Sequence, residues 1–143
     1  MSMVKNLKKC LAMIPVWIPT ILILAVICWL TLAGHPAGDI EIPLFPGADK
    51  IGHALMFGAL AFVAELDWMH ARHWRPLPLP AVAAVAIGAS AFGIAIEFLQ
   101  RALPTGRSFE IADMLADAFG AVLVSALWII LQPLLEESDR HKD

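Results

Sequence analysis

The chain has 143 residues, of which 59% are hydrophobic and 16% are charged, and its mean hydropathy is +0.74. Soluble domains are about 45–50% apolar and about 25% charged, so these values indicate one membrane domain over residues 1–143. The net charge of −3 gives no indication of the basic face that nucleic-acid binding needs, so no nucleic-acid partner is predicted, and the sequence does not identify a cofactor.

The first apolar run follows a lysine-rich N-terminus and extends without a charged residue over residues 11–33. Its 23 residues are enough to cross a bilayer core as a helix and too many for a typical signal peptide. We therefore predict a retained first span over 11–33. Pro15 and Pro19 lie near its start, where a missing backbone N–H costs least.

Three further apolar runs predict spans over about residues 51–68, 81–103 and 111–135. Small residues recur along the second and third of the four spans, where they allow close approach of a neighbouring helix. These are Ala54, Gly58, Ala61, Gly88 and Gly93. The predicted fold class is therefore all-α, a four-helix transmembrane bundle.

Basic residues are distributed unequally between the two ends of this bundle. Four spans place the N-terminus, the second loop and the C-terminus on one side, which then carries seven of the ten Lys and Arg residues. Because short cytoplasmic segments are enriched in Lys and Arg, both termini are predicted to be cytoplasmic.

Polar residues gather at the opposite, outer end of the last three spans. They are Asp49, Lys50, His53, Glu97, Gln100, Arg101, Arg107, Asp113 and Asp117. Several are three or four residues apart and so share a helix face. Because ionisable groups at membrane depth are costly unless they face the protein interior, we predict one inward-facing polar pocket.

The residues of this pocket point first to anion recognition. Lys50, Arg101 and Arg107 are the candidates for holding a phosphate, which the two guanidinium groups can bind bidentately. The remaining candidate ligand-binding side chains are Gln100, Asp49 and Asp117.

Catalysis is a second possibility for the same residues. His53 beside Asp49 has the chemistry of an acid, base or nucleophile, and Glu97 and Asp113 complete the candidate catalytic set. The acids and His53 are also compatible with a divalent cation, but their spacing matches no strict metal signature, so no metal site is assigned.

Each of these residues also has a structural interpretation. Asp49 and Lys50 can cap and anchor the second span, Glu97 and Arg101 can form an ion pair, and His53 can hydrogen-bond between helices. The convergence of three separate stretches favours a site over scaffolding alone.

The same residues resemble the VanZ-like family, small bacterial integral membrane proteins named for a teicoplanin-resistance protein. The resemblance lies in Asp49–His53 followed by Phe57, in Glu97–Gln100 and in Arg107–Gly120, and it covers about residues 15–135. Many members carry Asn where this chain has Asp117. The resemblance implies a bacterial inner-membrane protein linked to glycopeptide tolerance or envelope lipids, and it implies no particular reaction.

Three functional hypotheses follow. In the first, the outer-face pocket binds an anionic, phosphate-bearing membrane lipid or lipid-linked envelope precursor. The second is a membrane enzyme, a lipid phosphatase or phosphotransferase, although the arginine, serine and histidine motifs of familiar membrane lipid phosphatases are absent. The third is an accessory subunit whose polar residues only hold the helices together. The sequence does not determine the oligomeric state.

Overall fold

The computed structural model describes residues 2–33, 45–104 and 109–140, with side chains for residues 6, 8–33, 45–104 and 109–134. Regular structure in these ranges is entirely helical. The helices are α1 (Ser2–Ala12), α2 (Ile18–Leu32), α3 (Ala48–Ala71), α4 (Leu79–Ala102) and α5 (Ile111–Arg140). Helices α3, α4 and α5 are long and apolar enough to cross a membrane. The all-α prediction is confirmed, and the bilayer arrangement of four spans stays a prediction.

The first apolar run is divided between two helices, so the prediction of one span over 11–33 is wrong at its N-terminal end. Pro15 disfavours helical geometry in the residue before it, and Trp17 has a left-handed φ of 74°. Pro19 lies in the first turn of α2, where its missing N–H is not needed. The 15 residues of α2 span about 22 Å, less than a hydrocarbon core of about 30 Å.

Helices α3 and α5 form the most extensive helix–helix contact, and α4 packs mainly on α5. A Cβ atom added to Gly120 would overlap the backbone oxygen of Ala54, so the two backbones touch directly. A Cβ on Gly58 would lie 3.0 Å from Cγ2 of Val124. The predicted close approach of a helix at Ala54 and Gly58 is thus confirmed, with α5 as the neighbour.

The two glycines of α4 have different surroundings. A Cβ on Gly93 would lie 2.7 Å from Oδ2 of Asp117, so the absence of a side chain makes room for this carboxylate. A Cβ on Gly88 would meet nothing within 4 Å, and the prediction of a packing role there is wrong.

Polar contacts also join the helices at the end of the bundle where α3 finishes. Asp67 accepts hydrogen bonds from the backbone N–H and hydroxyl of Thr20, at 3.0 and 2.6 Å, and so caps the first turn of α2. Gln132 binds both backbone groups of Leu77 before α4. Between the two ends lies an apolar core formed by Ile27, Phe57, Leu60, Ala61, Ala89 and Ala121.

Candidate functional site

Seven ionisable side chains meet where α3 begins, α4 ends and α5 begins. This polar cluster consists of Asp49, Lys50, His53, Glu97, Glu110, Asp113 and Asp117. Within it, the exposed fraction is 7% for His53, 9% for Asp113 and zero for Glu97 and Asp117. Three stretches that are far apart in the sequence therefore form one largely buried group.

Lys50 lies at the outer edge of the polar cluster and contacts three carboxylates. Its ammonium nitrogen is 2.6 Å from Asp49, 2.7 Å from Glu110 and 3.0 Å from Asp113. These ion pairs link the first turn of α3 to the start of α5. They also surround the ammonium group with negative charge, which reduces its attraction for a separate anion.

His53 of α3 is oriented by Asp117 of α5. The ring nitrogen Nδ1 is 2.9 Å from Oδ1 of Asp117. Because a carboxylate oxygen accepts, Nδ1 carries the hydrogen of this bond, which fixes the tautomer of a neutral ring. The sequence-based pairing of His53 with Asp49 is wrong, because Asp49 instead contacts Lys50.

The second ring nitrogen of His53 faces Asp113. Nε2 lies 3.8 Å from Oδ2 of Asp113, which is too long for a hydrogen bond. In the neutral tautomer set by Asp117, Nε2 has a free lone pair. The geometry therefore presents an imidazole nitrogen that is able to bind a proton or a metal ion.

Glu97 connects the end of α4 to the segment before α5. Its Oε2 accepts a hydrogen bond from the backbone N–H of Glu110 at 3.3 Å. Within the described part of the chain, its Oε1 has no hydrogen-bond partner and is buried. Such a buried acceptor without a partner is costly, which is typical of a site that takes a ligand or ion.

Three predicted anion-binding residues are not among these contacts. Gln100 donates a hydrogen bond of 2.7 Å to the backbone oxygen of Thr31 and so ties α4 to the end of α2. Arg101 is exposed, and its guanidinium lies 5.6 Å from the ring centre of Phe109 instead of pairing with Glu97. Arg107 lies outside the described residues.

Glu110 is a residue of the polar cluster that the sequence analysis did not select. Its backbone oxygen accepts a hydrogen bond of 3.1 Å from the N–H of Asp113, so Glu110 opens α5. Glu110 lies three residues before Asp113 and so shares its helix face. This spacing could have identified Glu110 from the sequence.

Two sets of donors within the described residues are close enough to share a metal ion. His53, Glu97 and Asp113 are all buried, and one ligand atom from each lies within 4.8 Å of the others. Asp49, Glu110 and Asp113 form the second, partly exposed set. The three acids of this second set are the partners of Lys50, so its ammonium group already supplies their counter-charge.

An apolar groove of about 620 Å³ runs along the outside of α3 and α5. It starts at Ile51 and Ala54, which directly follow Lys50 and His53 of the polar cluster. Further along, its walls are formed by Leu55, Phe62, Phe119, Leu123, Leu127 and Leu131. The groove and the polar cluster are therefore neighbours at the same end of the bundle.

Three apolar helices of membrane-spanning length, with a buried ionisable cluster at one end, define a helical multi-pass membrane protein. A family model described as VanZ/LLP1 matches residues 11–132, nearly the whole chain. The chain therefore belongs to the VanZ/LLP1 family, which confirms the predicted family. No curated protein and no solved structure matches the chain.

Proposed function

We propose that the polar cluster and the apolar groove together bind an anionic, phosphate-bearing amphiphile at the outer face of the bacterial inner membrane. The ligand is a membrane phospholipid or a lipid-linked envelope precursor. The observation that carries this proposal is the position of the groove, which begins directly beside the polar cluster. A charged head and an apolar chain on one molecule match these two neighbouring surfaces.

The length of the groove supports a lipid chain as its occupant. On α5 it extends from Phe119 to Leu131, which corresponds to about 18 Å of helix. This is close to the thickness of one leaflet, about half of a 30 Å hydrocarbon core. A lipid whose headgroup lies at the polar cluster would thus have its chain in contact with the whole groove.

Recognition of the phosphate requires positive charge at this end. Arg101 is exposed there. The proposal assigns the phosphate to Arg101 and Arg107, the two guanidinium groups that the sequence analysis selected. Lys50 contributes to the site by holding its three carboxylate partners, Asp49, Glu110 and Asp113, together. Placement at the outer face follows from the distribution of basic residues, and binding of an envelope precursor is the proposed link to glycopeptide tolerance.

The hydrogen bond between His53 and Asp117 favours a second candidate, a lipid phosphatase or phosphotransferase. An imidazole held by a carboxylate is suited to general acid–base or nucleophilic catalysis. Release of inorganic phosphate from lipid phosphates by the purified protein, lost in His53→Ala, is the result that this candidate predicts. Failure to release phosphate from any lipid phosphate tested contradicts it.

Native mass spectrometry of the purified protein tests the binding proposal. Wild type is expected to retain phospholipid, and Arg107→Ala is expected to retain at least about tenfold less, the effect of about 1.4 kcal/mol of binding energy. Arg72→Ala is the matched control, because Arg72 is an exposed arginine at the other end of α3. Equal retention by both variants, with folding intact, favours the accessory-subunit hypothesis.

A further inference from the structure

We propose that His53, Glu97 and Asp113 bind a divalent metal ion of the Zn²⁺ or Mn²⁺ type. The metal would supply positive charge for the phosphate of the bound amphiphile, a role that rests on the proposed function, whereas the metal site itself does not.

The geometry of the three donors fits a single ion. Their ligand atoms lie within 4.8 Å of one another, and Nε2 of His53 is 3.8 Å from Oδ2 of Asp113. Nitrogen and oxygen ligands lie about 2.0–2.2 Å from Zn²⁺, so two ligands at a tetrahedral angle are about 3.3–3.6 Å apart. Side-chain rotations that close each gap by at most about 1.5 Å bring all three donors into this range.

Asp117 supports this assignment as a positioning residue. Histidine ligands of metals commonly donate their other ring N–H to a carboxylate, which orients the ring and increases its basicity. His53 has this arrangement, since Nδ1 bonds to Asp117 while Nε2 faces Asp113. Gly93 leaves the space in which the Asp117 carboxylate lies.

Charge and burial give an independent reason for an ion at this position. Oε1 of Glu97 and Oδ2 of Asp117 are buried and have no hydrogen-bond partner within the ranges that the structure describes. Lys50 does not relieve this, because its ammonium group lies among Asp49, Glu110 and Asp113. Buried carboxylates need a hydrogen bond or a counter-charge, and a divalent cation supplies that charge.

The chemistry of the three donors indicates which metal ions the site prefers. One imidazole nitrogen and two carboxylate oxygens suit Zn²⁺ or Mn²⁺ better than Ca²⁺ or Mg²⁺, which prefer all-oxygen sites. Three protein ligands leave at least one coordination position open. A phosphate oxygen can take that position, so the ion would connect the acidic polar cluster to an anionic headgroup.

The test uses the full-length protein, purified in detergent and stripped of metal. Calorimetric titration with Zn²⁺ is expected to give one site per chain in wild type, and binding at least about tenfold weaker in Glu97→Gln. For Asp117→Asn, which alters only the residue behind His53, affinity is expected to fall by about 10–100-fold. The matched control is Glu65→Gln, an equally buried acid on α3 outside the polar cluster, which should bind as wild type does.

A spectroscopic measurement keeps the proposal testable if a variant misfolds. Mn²⁺ bound to wild type is expected to show electron–nuclear coupling to one imidazole ¹⁴N. Absence of Zn²⁺ and Mn²⁺ binding by wild type, lack of ¹⁴N coupling, or equal affinity in folded Glu97→Gln would overturn the proposal.

Lipid retention with and without chelator separates this inference from the proposed function. If the protein binds metal but retains no phospholipid in either condition, the lipid proposal is contradicted and the metal site is still supported. Phospholipid retained equally after removal of the metal supports lipid binding and overturns the role of the ion in holding the phosphate.

Discussion

The contact between His53 and Asp117 joins residues 64 positions apart in the sequence, through one buried hydrogen bond. Around it, the acids of the polar cluster have three kinds of partner: the imidazole for Asp117, a backbone N–H for Glu97, and the Lys50 ammonium group for the other three acids. This variety distinguishes the cluster from a set of helix-capping acids, because capping needs only backbone donors.

Replacement of Lys50 tests the electrostatic role of its ion pairs. In Lys50→Met, Asp49, Glu110 and Asp113 lose their common cation, so repulsion between them is expected to lower the thermal midpoint of unfolding in detergent. The difference from wild type should shrink as the salt concentration is raised, because Asp49 and Glu110 are partly exposed.

Lys9→Met provides the control for this measurement, since Lys9 is an exposed lysine of α1. An equal midpoint for Lys50→Met and Lys9→Met at low salt would show that the three ion pairs contribute nothing to stability.

Helical spacing predicted several of these residues from the sequence alone. Asp113 and Asp117 are four apart and do share the inward face, and Glu97 is buried, as predicted for an ionisable group on an apolar helix. The directions in which the side chains of Gln100 and Arg101 point were not predictable, because they depend on which other segment of the chain packs against the end of α4. The backbone oxygen of Thr31 binds Gln100, and the ring of Phe109 lies under Arg101.

At the scale of helices, the interface of α3 with α5 brings the parts of the polar cluster together. Gly120 lies one turn beyond Asp117 and lets α5 approach the backbone of Ala54, next to His53. Small residues in the sequence predicted such an approach, but not which helix would be the partner. The apolar run over 11–33 predicted one continuous helix. Only the structure shows the break between α1 and α2, which Pro15 and the left-handed φ of Trp17 explain.

The mutation Gly120→Ala is expected to separate these helices. Its new Cβ would overlap the backbone oxygen of Ala54, so we expect a loss of about 2 kcal/mol or more in unfolding free energy. Gly52→Ala makes the same change on α3 where nothing lies within 4 Å, and should be neutral or stabilising by up to about 1 kcal/mol. Reversible unfolding in mixed micelles measures both, and equal stabilities would contradict the observed contact.

At the scale of the whole molecule, the proposed orientation puts the polar cluster outside and α1 inside. Single-cysteine proteins test this arrangement in spheroplasts with a membrane-impermeant maleimide. Pro46→Cys, at an exposed position two residues before α3, should be labelled, whereas the exposed native Cys10 should react only after lysis. Labelling of Cys10 in intact spheroplasts would reverse the orientation and move the polar cluster to the cytoplasmic side.

The central claim is that the polar cluster, with its adjoining groove, holds the headgroup of a phosphate-bearing lipid. The most direct measurement is the amount of phospholipid that co-purifies with each chain in His53→Gln and in His70→Gln. His70 is the matched control, because it lies at the other end of α3 and stacks on Trp74. The account predicts retention reduced at least about tenfold in His53→Gln and unchanged in His70→Gln. Equal retention by the two folded variants would contradict it.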